Sequence, residues 1–236
     1  MGSTRKMYST GSTPEFLQTI LQHDSFSTTL IVCSTRDQFL SRLLAATHPT
    51  RGEVARHHHI YDKTIGLLSR STRVRVLFCP TLENLRACLS VVGSQRVHHQ
   101  DKKEIHGQTE ARPLLAVLDS LSLHAPTTEF SAQGLSRTFA ALAETSFKAD
   151  MDLVLCECQD LTNPEVSLWN AQVPMLNSTV RVSEENALFR RTVTVKRVAE
   201  RWFEFIEKDY AGAGIMDDAQ GNAQTHTEID EDRDIQ

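Results

Sequence analysis

The sequence predicts an α/β domain, a mostly parallel sheet flanked by helices with antiparallel strands at the C-terminal end. Three observations predict it. Short continuous apolar runs, Thr29-Leu-Ile-Val-Cys33, Leu114-Leu-Ala-Val-Leu118 and Leu153-Val-Leu-Cys156, read as strands covered on both faces. Between them, apolar residues recur at helical spacing on otherwise polar segments. Near the end, Ser178–Val182 and Leu188–Val195 alternate around Ser183-Glu-Glu-Asn186, the pattern of a hairpin.

Taken in order, residues 1–13 are small and polar and are expected to be disordered. Pro14–Gln22 carries Phe16, Leu17, Ile20 and Leu21 on one stripe, a short helix with Pro14 in its first turn. After the strand Thr29–Cys33, Ser34 or Thr35 can cap a helix whose inward face is Phe39, Leu40, Leu43 and Leu44. His48–His59 is an irregular connection; three consecutive histidines, His57 to His59, cannot all face one metal in a regular element and read as a solvated loop. Tyr61–Ser69 is expected to be helical with Ile60, Thr64, Leu67 and Leu68 inward. Arg73–Cys79 alternates and then turns apolar, as a strand does on entering a sheet, and Leu82, Leu85, Leu89 and Val92 stripe the helix that follows. Gly93–Arg112 is the most basic exposed stretch, with Arg96, His98, His99, Lys102, Lys103 and His106. It suits phosphate contact or an ordinary solvated loop.

The centre of the chain is Leu114–Gln159. An apolar strand closed by Asp119 and Ser120 leads through a loop to a helix capped by Ser131, with Leu135, Phe139, Leu142 and Ala143 inward. The strand Asp152–Gln159 follows. Strand, helix, strand at this spacing is a right-handed crossover, so the two strands should be parallel neighbours. Asp160–Pro174 reads as a loop whose Trp169 either seals a core edge or stacks a base. The hairpin and Val198–Ile206, with Trp202, Phe203 and Phe205, complete a domain expected over residues 14–210, and residues 211–236 form an acidic tail expected to be disordered.

Composition narrows the function classes. With 236 residues, 40% hydrophobic and 23% charged, the chain is long enough for one packed domain of ordinary soluble composition. No apolar run reaches membrane-spanning length and no secretory signal is recognisable, so an intracellular protein without a membrane role is expected. Five cysteines, Cys33, Cys79, Cys88, Cys156 and Cys158, are expected to be free thiols. The net charge of −5 hides an asymmetry: from Asp217 onward seven acids face one arginine, a net of −6, which leaves residues 1–216 near +1. Cys156 and Cys158 share a strand face, but no later cysteine completes a tetrahedral zinc set, and Ser120 has no nucleophile elbow around it. Neither a metal site nor nucleophilic catalysis is expected.

The residues also carry a resemblance. Leu115-Ala-Val-Leu-Asp119-Ser120 resembles the Walker B strand of RecA-type recombinases. Glu129-Phe-Ser-Ala-Gln-Gly-Leu-Ser-Arg137 is similar to the helix start that follows it in the eukaryotic recombinase and its paralogues. Gln159 sits where that family has a nucleotide-sensing glutamine. The resemblance spans residues 26–206 and implies a RecA-like core in which Thr29–Cys33 would run into the phosphate loop. Such a loop needs glycines to cradle phosphate, a lysine and a magnesium-binding hydroxyl. This chain offers Cys33-Ser-Thr-Arg-Asp-Gln-Phe-Leu40, with no glycine or lysine and with Asp37 repelling phosphate. The expectation is therefore a degenerate nucleotide site, with no cofactor and no catalytic residue, in which Asp119 is vestigial and Gln159 is only sensor-like.

Size and layout resemble the small recombinase paralogues of the Shu complex type. That implies a nuclear subunit that assists recombinase filament assembly in homologous recombination after DNA damage. Implied partners are another RecA-like paralogue, a SWIM-type protein, the recombinase, and single-stranded or forked DNA. Candidate DNA contacts are Lys102, Lys103, Arg190, Arg191, Lys196 and Arg197, where cations cluster, although alternation puts only some on a shared face. Three alternatives stay open: a RecA-like subunit of the Elongator tRNA-modification complex, an ATP-driven enzyme with an unusual loop, and a structural adaptor.

Overall fold

The computed structural model describes residues 4–8, 12–46, 64–94, 111–158, 167–175 and 191–206. Its strands are β1 (Arg5–Tyr8), β2 (Thr28–Val32), β3 (Val74–Phe78), β4 (Leu114–Leu118), β5 (Asp152–Cys156), β6 (Gln172–Pro174), β7 (Thr192–Thr194) and β8 (Glu204–Ile206). Six of them form one sheet in the order β3-β2-β4-β5-β1-β8, with all its pairings parallel. Antiparallel pairing toward the C-terminal end is present as a separate two-stranded sheet of β6 and β7, although not between the two segments expected to form it.

The helices are α1 (Thr13–Gln22), α2 (Arg36–Ala45), α3 (Ile65–Ser71), α4 (Leu82–Ser94), α5 (Ser120–His124), α6 (Ala132–Lys148) and α7 (Val195–Ala199). Alternation along the strands divides the core in two. Leu30, Val32, Leu114, Ala116 and Leu118 meet Phe16 and Ile20 of α1 and Phe39 of α2. Ile31, Leu115, Val117, Leu153 and Leu155 meet the stripes of α4, α6 and α7 on the other face. The connections agree with this layering. Those from β1 to β2 and from β2 to β3 run one way along the sheet and place α1 and α2 on one face; the connections through α4, α6 and α7 run the opposite way and use the other face, as one crossover hand requires.

The stripes of α4 and α6 are buried as their spacing predicts, and Ser131 caps α6 by accepting the Gly134 N–H at 3.2 Å. Thr35, not Ser34, caps α2 in a reciprocal box with Gln38. Several expectations are corrected. Arg5–Tyr8, expected to be disordered, is a strand flanked by β5 and β8, with Met7 fully buried. A four-residue strand is too short to show period-two alternation, so its sequence carries no signal.

On α2 only Phe39 is buried, edge-on to Phe78 at 5.9 Å, whereas Leu40 and Leu44 are 40% and 60% exposed. Leu68 of α3 is likewise exposed. The Phe39–Phe78 contact sets α2 toward the β3 edge, where the sheet ends and leaves part of its apolar stripe uncovered, while α3 meets α1 and buries none of its residues. Leu188–Val195 is a strand only over Thr192–Thr194 among the described residues, and its partner is β6, in a segment expected to be loop. Val195 instead begins α7, because Thr194 accepts the Arg197 N–H as an N-cap. Residues 178–182 and the turn 183–186 lie outside the described residues, as do the histidine-rich connection 48–59 and the acidic tail.

Candidate functional site

In an open parallel sheet, ligand chemistry collects beyond the carboxyl ends of the strands, where successive connections leave in opposite directions. Here that condition is met between β2 and β4 and again between β5 and β1. The residues just past those strand ends are Cys33 and Ser34, Asp119, and Glu157 and Cys158.

Asp119 leaves β4 in the left-handed conformation (φ 60°, ψ 40°), which a short polar side chain tolerates. Its carboxylate is buried, and both oxygens are engaged. Oδ2 accepts Arg42 Nη1 at 2.8 Å, and Oδ1 accepts the backbone N–H of Cys158 at 2.8 Å. The Asp119 N–H in turn donates to the Cys156 carbonyl at 2.8 Å. Burial pushes the Asp119 carboxyl above its usual range, and the Cys158 N–H and the Arg42 guanidinium oppose that rise without cancelling it.

In that backbone conformation Asp119 does not cap α5 with its own side chain. Glu157, arriving from β5, does so instead. Its Oε1 accepts Ser120 Oγ at 2.8 Å and the Leu121 N–H at 2.7 Å. Full burial, reinforced by the neighbouring Asp119 charge, drives the Glu157 carboxyl well above the ordinary range, toward the protonated form. Ser122 Oγ ties the turn further, donating to the Asp119 carbonyl at 2.6 Å. Thr13, the first residue of α1, joins the cluster by donating to Cys158 Sγ at 3.4 Å. The edge is thus cross-linked by polar contacts between α1, α2, β4 and β5.

This arrangement bears on the phosphate-loop argument twice. The segment after β2 turns directly into the capped α2, whose Arg42 reaches Asp119. The strand between β5 and β8, however, is β1, and it too runs into a helix, through Ser9-Thr10-Gly11-Ser12-Thr13. That stretch offers one glycine and several hydroxyls but again no lysine, and Ser12 is committed to a capping box with Glu15. A cation approaching Asp119 would have to displace Arg42.

A family model matches residues 11–209 and is described as SPAC22G7.03-like. The chain belongs to the SPAC22G7.03-like family. No curated protein matches it. Within this family member, the match takes in α1 to β8, and with them every residue of the Asp119 cluster.

The remaining sequence candidates divide as follows. Asp119 is in the cluster, while Gln159 lies outside the described residues. Lys102, Lys103 and Arg190 lie outside them as well. Arg191, Lys196 and Arg197 fall in the short β7–α7 segment. Arg191 is exposed, Lys196 sits 5.4 Å over the Phe205 ring, and Arg197 pairs with Glu200 at 3.0 Å. Trp169, weighed between packing and base stacking, is buried at 3% exposure and meets Phe205 edge-on at 5.4 Å, so it packs. Among the described residues no group of histidines, cysteines and acids could hold a metal ion, and no helix is long and apolar enough to cross a membrane.

Sequence reading missed Arg42, Glu157 and Thr13. A signal existed for Glu157, an acid enclosed by apolar strand residues and cysteines, which must find hydrogen-bond donors if buried. None existed for Arg42, which stands 77 positions from Asp119.

Proposed function

We propose that this protein is a non-catalytic subunit with a RecA-like core, working in a recombination-mediator complex of the Shu type. In this reading it binds DNA together with a paralogue or SWIM-type partner in the nucleus and assists recombinase filament assembly. One observation carries the non-catalytic part: the Asp119 carboxylate, where an active relative would hold magnesium, is taken up by Arg42 and the Cys158 N–H. The parallel sheet with Asp119 ending a central strand supports the RecA-like part. The recombination role rests on the sequence resemblance, an argument by analogy of fold and motif.

A purely structural adaptor is the second reading. The exposed apolar residues Leu40, Leu44, Ile65, Leu68 and Val76, spread over α2, α3 and the β3 edge, favour it. Affinity purification of the tagged protein from its own cells, followed by mass spectrometry, tests both. A SWIM-type protein, a recombinase or its paralogues is the expected result, joined by DNA binding of the purified complex at low salt. Partners of that kind without DNA binding would leave the adaptor. Elongator subunits would sink the recombination role and move the fold to tRNA.

A further inference from the structure

β3 ends the sheet on one side, and among the described residues β2 is its one strand neighbour. The backbone N–H and C=O groups along its outer side have no ladder partner there, and such an edge can take a further strand. The edge is also cationic. Arg70, Arg73 and Arg75 are all exposed, and no acid falls between Thr64 and Phe78. The two faces of β3 differ. Val74 and Phe78 pack on the α1 and α2 side, and Val76 between them is 41% exposed. Arg75 and Leu77 lie on the other side, where Leu77 packs on the core beneath α4 and α6 and Arg75 Nη2 donates to Thr29 Oγ1 at 3.4 Å.

The chain itself carries a segment of complementary pattern. In Glu228-Ile-Asp-Glu-Asp232 acids occupy every second position, and Ile229 falls on the opposite face of an extended strand. We propose that Glu228–Asp232 of the acidic tail docks on the outer edge of β3 as an antiparallel strand, with Ile229 opposite Val76, Asp230 opposite Arg75 and Asp232 opposite Arg73.

Register and direction follow from the pattern. With Ile229 against the exposed Val76, antiparallel pairing sets an acid directly across from each arginine, an arrangement that stabilises a strand pair. Parallel pairing in the same register leaves Arg73 against His226. The span fits as well. An antiparallel segment enters at the carboxyl end of β3, the end of the sheet at which the parallel β8 finishes with Ile206. The order β3-β2-β4-β5-β1-β8 puts six interstrand steps between β8 and a strand outside β3, about 29 Å at about 4.8 Å each. Residues 207–227 supply the connection, and a flexible chain of about 20 residues has an r.m.s. span of about 25 Å, close to the length that maximises effective concentration. A docked tail closes the β3 edge against pairing with another chain, and a partner that adds a strand there must first displace it.

Hydrogen exchange of the full chain at low salt, followed by peptide mass spectrometry, tests the docking. In wild type the amides of 228–232 should exchange at least about tenfold more slowly than in an unstructured peptide. Asp230→Lys with Asp232→Lys, which leaves residues 4–206 unaltered, should abolish that protection. Arg73→Asp with Arg75→Asp should do the same, and combining all four substitutions should restore it. Wild-type tail amides that exchange at the unstructured rate, protection that survives either charge reversal, or a fourfold variant that stays unprotected overturns the proposal. So does protection that falls on dilution, because the edge is then occupied by the tail of a second copy.

Discussion

At the scale of single residues, the least ordinary group is Glu157, a carboxyl with full burial and only hydrogen bonds for compensation. A carboxyl whose folded-state affinity for protons exceeds its unfolded one makes the protein lose stability as pH rises from the unfolded value, near 4.5, upward through the folded one. Glu157→Gln keeps an acceptor for Ser120 and Leu121 and removes the charge. It is expected to raise Tm by several degrees at pH 8 and to have little effect at pH 4, where the glutamate is protonated in both states. Thermal melts across that range check it; equal effects at both ends would refute the assignment. Gly134 gives a second residue-scale test. A Cβ there would sit 2.1 Å from the Glu129 carbonyl oxygen, a backbone atom with no side-chain freedom to yield. Helix propensity favours alanine over glycine by about 1 kcal/mol, whereas overpacking of this kind costs about 1–3 kcal/mol, and contact this short belongs at the upper end. Gly134→Ala should therefore destabilise by about 2 kcal/mol, lowering Tm by about 4–8 °C at this chain length. A stabilised variant would show that the turn at Glu129 moves freely.

At the scale of elements, legibility tracked how many residues each element gave its pattern. The thirteen residues of α4 and seventeen of α6 repeat their stripe several times, and every residue assigned to those stripes is buried. β2, β4 and β5 were legible because burial on both faces makes an uninterrupted apolar run. β1, with Lys6 and Tyr8 half-buried beside Met7, was not, since its place in the sheet comes entirely from partners distant in sequence. α2 and α3 show the converse: their stripes were correctly periodic but not correctly buried, because a periodic face says nothing about whether a neighbour exists to cover it. The candidate site divides in the same way. Asp119 was visible as an acid closing a strand, but its salt bridge joins elements whose meeting is a property of topology alone.

At the scale of the whole molecule, the polar edge from Thr13 to Arg42 and Glu157 predicts how the protein responds to nucleotide. A ligand that binds only the folded state adds RT ln(1 + [L]/Kd), about 2.7 kcal/mol at a hundredfold excess over Kd. Millimolar ATP with magnesium is expected to leave Tm unchanged, and a reproducible upward shift would reinstate a working nucleotide site. The sheet order has a different consequence, in the timing of assembly. Arg5–Tyr8 must pair with Leu153–Cys156 and with Glu204–Ile206, so β1, made before the other described strands, waits for partners made about 150 and 200 residues later. At ordinary elongation rates that is roughly 10–40 s during which β1 lacks one or both of its partner strands and Met7 has no complete core to enter. The sheet therefore cannot be completed in order of synthesis from β1 onward, and it closes only once β8 has been made.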